Sequence, residues 1–95
     1  MTAVPSVTHN AAARQFEARA EHGIATLKYV ARGDVLDLTH TAVPQEDEGL
    51  GIGSALAHAA LLYARTEGKK VIPSCPFVLA YLKRHKEFAA LVAPR

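Results

Sequence analysis

Gly49-Leu50-Gly51-Ile52-Gly53-Ser54 lies between a strand-like run and a long helix-periodic run, and its reading decides the fold. Glycine has no Cβ, so the main chain can turn sharply there and approach a ligand closely. The first N–H groups of the helix that follows lack intrahelical partners and carry partial positive charge. Together these features describe an anion site at a strand-to-helix turn. Spacing excludes two better-known phosphate loops. A Walker loop needs a lysine directly after its last glycine, whereas the next lysine beyond Gly53 is Lys69. A dinucleotide fingerprint needs a glycine where Ser54 stands, and at an earlier turn of the chain. A flexible turn opening a helix remains the plain alternative for the glycines alone.

Upstream of this loop the pattern is strand-like. Val35 to His40 alternates, which puts Leu36, Leu38 and His40 on one face. Arg32-Gly33-Asp34 closes a hairpin against Ile24 to Ala31, where Ala25, Leu27 and Tyr29 share a side. Glu21-His22-Gly23 turns back to Arg14–Arg19, with Phe16 and Ala18 inward. Three antiparallel strands in meander order are expected, and Ser6 to His9 can start a further short strand before Asn10. Met1 to Pro5 is expected to be a flexible start, with a single domain over residues 6–95.

Downstream the period changes. Ile52, Leu56, Ala59, Ala60 and Tyr63 recur at three- and four-residue intervals, which predicts an amphipathic helix. Gly68 suits a left-handed cap at its end. Lys69-Lys70-Val71-Ile72-Pro73 reads as a short buried strand, reached by a right-handed crossover and therefore parallel to its neighbour. Pro73 has no N–H with which to continue the ladder. A last helix is expected from Ser74–Pro76 through Tyr81 toward Arg84, and a short turn over Lys86 to Val92. The class is α/β (α+β): a meander, a crossover helix into a parallel strand, and a C-terminal helix.

Composition narrows the function classes. A chain of 95 residues, 49% hydrophobic and 21% charged, has the balance of an ordinary globular domain. No apolar run approaches the roughly 18 residues of a membrane span, and Met1 to Pro5 lacks signal-peptide features, so a cytoplasmic location without membrane association is expected. The lone Cys75 agrees with a reducing compartment. A net charge of +2 with scattered basic residues argues against nucleic acid as principal partner.

The sequence Leu38-Thr39-His40-Thr41-Ala42-Val43-Pro44, the glycine loop, and Val71-Ile72-Pro73-Ser74-Cys75-Pro76-Phe77-Val78 in this order resembles the minimal single-domain GNAT-like N-acetyltransferases, from about Val7 to Val92. The resemblance implies acetyl-coenzyme A as co-substrate and a primary amine as acceptor, a protein lysine, an N-terminus or a small amine. It implies a pyrophosphate on Gly49, Leu50, Gly51, Ile52, Gly53 and Ser54, and a pantetheine arm between diverging strands at Thr41, Ala42, Val43 and Cys75. Arg84, in the basic run Lys83-Arg84-His85-Lys86, is a candidate for the 3′-phosphate, and a solvated helix end explains it equally well.

Three side chains are candidates for the chemistry. His40 suits a general base because imidazole titrates near neutral pH, although a histidine bonded only to backbone is an equal reading. Tyr81 stands where related proteins often carry an acid for the leaving thiol, against a core-packing role. Cys75, at a helix start, either lines the pocket or accepts the acetyl group before passing it on. Direct attack in a ternary complex is the expected route, and a coenzyme A or acyl-coenzyme A binding module with little catalysis is the alternative function. His9, His22 and His58 lack ligand spacing, so no metal site is expected.

One position departs from the family pattern. Glu48 stands where arginine or glutamine usually opens the loop, beside Glu46 and Asp47. Negative charge beside an anion site predicts modest, salt-dependent affinity. Glu48→Arg is expected to tighten coenzyme A binding at low salt, measured by calorimetry; an unchanged Kd removes Glu48 from the site.

Overall fold

The computed structural model describes residues 6–94. Five strands form one sheet in the order β1-β2-β3-β4-β5, where β1 is Val7–Asn10, β2 Gln15–Ala20, β3 Gly23–Arg32, β4 Val35–Ala42 and β5 Lys70–Ile72. Helix α1 (Ile52–Thr66) crosses from β4 to β5, and α2 (Pro76–Arg84) follows β5. Single 3-10 segments cover Gln45–Asp47 and Lys86–Leu91. The first four strands are antiparallel and β5 pairs parallel to β4, as the crossover required. The flexible start expected at Met1 to Pro5 lies outside the described residues.

The meander has four strands rather than three. Val7–Asn10 pairs in full register with β2, from Val7 against Ala18 to Asn10 against Gln15. Its anchor is His9, which stacks on Phe16 with ring centroids 4.3 Å apart and lies 2.6 Å from the Tyr29 hydroxyl. Burial lowers the His9 pKa, so the ring packs there uncharged near neutral pH. Asn10 shapes the turn by accepting the Ala13 N–H at 3.1 Å.

Both helices pack on one face of the sheet. Phe16, Ala18, Ala25, Leu27, Tyr29, Leu36, Leu38 and Val71 bury that face against Leu56, Ala57, Ala60, Leu61, Ala64, Val78, Leu82 and Phe88. Alanines on α1 and on β2 and β3 are short enough to let helix and sheet approach closely. The opposite face carries no helix among the described residues, and Ile24 and Val30 stand 54% and 42% exposed on it.

The sheet is irregular at one place. Tyr29 pairs with Leu38 but Lys28 pairs with His40, so Thr39 is an extra residue in β4. Its hydroxyl donates to the Lys28 carbonyl at 3.2 Å, which ties the bulge down. A bulge advances the side-chain alternation by one. His40 is therefore not on the face of Leu36 and Leu38, as strict alternation predicts, but on the open face beside Lys28, and Thr41 takes the inward place opposite Leu27. Pairing between β4 and β5 ends nearby, at Asp37 against Ile72. Ser74 N–H then turns back to the Ile72 carbonyl (3.0 Å), and Cys75 N–H reaches the Leu38 carbonyl (2.8 Å), beyond which the two chains separate.

Helix α1 ends as its sequence predicts. Gly68 has φ +68°, its N–H meets the Arg65 carbonyl at 3.3 Å, and the Lys69 N–H meets the Ala64 carbonyl at 2.8 Å, a Schellman closure. A Cβ at Gly68 would meet nothing within 4 Å, so the left-handed backbone alone demands glycine. Gly68→Ala is expected to destabilise the fold by about 1 kcal/mol through backbone strain, read as a lower denaturant midpoint at unchanged slope.

Candidate active site

The local sequence opens a cleft where β4 leaves β5. Pro44 follows the strand, a 3-10 turn runs over Gln45–Asp47, and Gly49 and Gly51 both adopt φ +84°, a left-handed conformation that side chains resist. Gly51 is the N-cap of α1 and brings no side-chain acceptor. The first helical bond belongs to the Ala55 N–H, to the Gly51 carbonyl at 3.0 Å. The N–H groups of Ile52, Gly53 and Ser54 thus open the helix without ladder partners and face one direction, along the helix axis.

The cleft holds about 400 Å³ and is lined by Thr41, Val43, Asp47, Glu48, Gly49, Gly51, Ile52, Gly53, Ser54 and Phe77. The Phe77 ring packs directly on Gly53: a Cβ there would sit 2.8 Å from the tip of the ring, which would have to shift to admit it. Phe77 is 38% exposed and forms the wall contributed by α2. In the sequence Phe77 belongs to the stretch that carries the family resemblance, one place after a helix-starting proline, but nothing local gives it a role in the cleft.

Electrostatically the cleft is unusual for an anion site. No lysine or arginine is among the lining residues, while Asp47 and Glu48 are. Main-chain dipoles at the start of α1 direct partial positive charge toward it. Asp47 turns inward, 1% exposed, and accepts two bonds from His22 on the β2–β3 turn: N–H to Oδ2 at 2.9 Å and Nδ1 to Oδ1 at 3.1 Å. The side-chain bond is the main reason that the Asp47 pKa lies below, and the His22 pKa above, the ordinary value.

The structure separates the residues that the sequence had grouped. Of the expected loop and strand contacts, Thr41, Val43, Gly49, Gly51, Ile52, Gly53 and Ser54 line the cleft, whereas Leu50 and Ala42 point to solvent and Arg84 lies exposed at the far end of α2. Cys75 is buried behind Thr41, with Sγ 3.4 Å from Thr41 Oγ1. Burial acts to raise the Cys75 pKa, but bonds from the Thr41 hydroxyl and from the N–H groups of Val78 and Phe77 outweigh it and bring the thiol below its ordinary value. Tyr81 is also buried outside the cleft, its hydroxyl 3.2 Å from His58 Nδ1 and its ring stacked on His85 at 4.0 Å. Burial raises its pKa. His58 lies one helical turn beyond Ser54, and its pairing with Tyr81 was not legible from spacing. His40 stands on the open sheet face, at the strand end next to the split.

Comparison with known proteins agrees with this architecture. A family model described as GCN5-related N-acetyl-transferase matches residues 15–91. Protein NATD1 of Mus musculus, Gallus gallus and Homo sapiens is in each case 37% identical over 82 residues, an alignment covering 83% of this chain. It covers 74% of the mouse and chicken proteins and 73% of the human one. A solution NMR structure of a GCN5-like protein from Staphylococcus aureus superposes with a TM-score of 0.73 at 22% identity, covering 99% of this chain and 93% of that one, and so shares its fold. Acetyl-coenzyme A is the co-substrate typical of the matched family. With a split sheet, a glycine-capped crossover helix and a family model spanning most of its length, the chain belongs to the GCN5-related N-acetyltransferase family.

Proposed function

We propose that the cleft binds acetyl-coenzyme A and that the chain transfers the acetyl group directly to a primary amine presented on the open face of the sheet. The observation that carries this reading is the coincidence of two features: a helix start whose first N–H groups are uncapped, and a sheet whose pairing stops at Asp37 and Ile72 beside it. Main-chain N–H groups of Ile52, Gly53 and Ser54 take the diphosphate, and the open edge of β4 from Thr39 to Val43 takes the pantetheine amides as an added strand would.

The bulge supports the choice of acceptor face. His40 stands on the uncovered face, where an exposed lysine or N-terminus of another protein, or a small amine, meets no helix. There the His40 imidazole takes the proton as the amine nitrogen bonds to the thioester carbonyl carbon. The tetrahedral intermediate collapses by breaking the C–S bond, and the coenzyme A thiolate leaves with the electron pair. His40 or solvent returns a proton to it, since the Tyr81 hydroxyl is engaged by His58 outside the cleft. Burial of Cys75 behind Thr41 favours direct attack. Its lowered pKa favours the second reading, a relay in which Sγ is acetylated first.

The cofactor assignment predicts opposite signs for one substitution. Ser54 is the third residue of α1, so Ser54→Asp is expected to stabilise the free protein by about 0.5 kcal/mol through the helix dipole while weakening coenzyme A binding about tenfold or more. Thermal shift with and without coenzyme A reads both, and an unchanged ligand shift sinks the assignment. For the chemistry, His40→Ala is expected to lower kcat about a hundredfold, and Cys75→Ala to leave it within about threefold, in assays of thiol release from acetyl-coenzyme A with a panel of amines. Loss of activity in Cys75→Ala with acetyl-Cys75 trapped by mass spectrometry establishes the relay instead. Tight binding with no amine-stimulated release leaves a binding module.

A further inference from the structure

The wall of the cleft contains a buried carboxylate, and its charge partner is a single histidine from a turn 25 residues away. Asp47 lines the cleft between Val43 and Glu48, and no lysine or arginine lines it to offset either carboxylate. His22 meets Asp47 at two points, through its main-chain N–H and through Nδ1, so it both locates the 3-10 turn and compensates its charge. Only one of these roles depends on the proton. Main-chain N–H donation persists at any pH, whereas full positive charge on the ring exists only while both nitrogens are protonated.

We propose that the His22–Asp47 pair is a proton-linked latch on the cofactor loop: protonated His22 neutralises the buried carboxylate and admits the diphosphate, and neutral His22 leaves an uncompensated negative charge in the cleft wall. The inference rests on the reading of the cleft as a coenzyme A site and assigns its regulation. His22 is a positioning residue here, since it touches Asp47 and not the ligand. Glu48 adds a fixed negative charge on the loop, so removing the one compensating cation changes the balance where the ligand is most anionic.

The direction follows from the groups around the ring. Asp47 on the loop and Glu21 on the turn of His22 itself are the charges that act on it, and with the Asp47 hydrogen bond foremost they raise its pKa above 6.5 against the opposing effect of desolvation. Asp47 is held below the ordinary carboxylate value and stays ionised throughout. Loop neutralisation is therefore complete below the ordinary histidine value and is lost as pH rises through the elevated one. By linkage, binding the diphosphate favours proton uptake at His22, and the two effects are equal in size.

Dephospho-coenzyme A is the suitable probe, because its diphosphate holds constant charge over this range whereas a phosphate monoester titrates near pH 6. Calorimetry from pH 6 to pH 8 is expected to show Kd rising about fivefold for the parent protein. His22→Gln should be flat across the range, at the weak value. Its side chain is 44% exposed, so the replacement leaves the core intact. Asp47→Asn, which keeps an acceptor for the His22 N–H, should bind about fivefold tighter than the parent at pH 8. A purely structural tether predicts the reverse: the parent slope retained in His22→Gln and weaker binding in Asp47→Asn, and either result overturns the latch. Firm but pH-independent binding by the parent also overturns the latch alone, whereas no binding at any pH overturns the cofactor reading with it.

Discussion

One inserted residue governs the architecture of the site. Thr39 adds a bulge to β4 between the residues paired with Tyr29 and Lys28, and its hydroxyl bonds the Lys28 carbonyl. A bulge bends the strand and increases its local twist. It lies just beyond Asp37, the last β4 residue that pairs with β5. Three consequences meet there: the strands separate, His40 moves to the uncovered face, and Thr41 turns inward to Cys75. An unbroken sheet would place His40 in the core and close the gap.

The second constraint is electrostatic. The cleft has the geometry of an anion site but draws no charge from lysine or arginine, relying on the dipole and free N–H groups of a glycine-capped helix. Such a site is sensitive to any nearby carboxylate, because main-chain dipoles supply only about half an elementary charge. Asp47 and Glu48 both stand in its wall. Asp47 is tolerated because it is hydrogen-bonded and paired; a carboxylate buried without a partner is among the costlier arrangements available to a protein. The loop and the β2–β3 turn are thus joined through the His22–Asp47 contact, although they are distant in the chain.

The large-scale order of the molecule was legible because its signals are local. Alternation in Gln15–Ala20 and Gly23–Arg32, the helical period from Ile52 to Tyr63, the left-handed stop at Gly68 and the proline after Ile72 each act within a few residues. Glycine spacing located the uncapped helix start, and seven of the eleven residues expected to hold the cofactor line the cleft. The edge strand β1 was weaker in the sequence, since its order depends on His9 reaching Phe16 and Tyr29 across the sheet.

By itself the sequence determined the element order, the antiparallel-to-parallel crossover and the glycine turn that opens α1, all of which follow from periodicity and backbone chemistry along the chain. Only the tertiary structure decided which side chains share the site. His22 finds Asp47 across 25 residues, Tyr81 finds His58 across 23 outside the cleft, and the Phe77 ring packs on Gly53 in its wall. These pairings depend on register and on helix placement over the sheet. A single extra residue in β4 puts His40 on the open face and turns Thr41 inward, and no local pattern announces it.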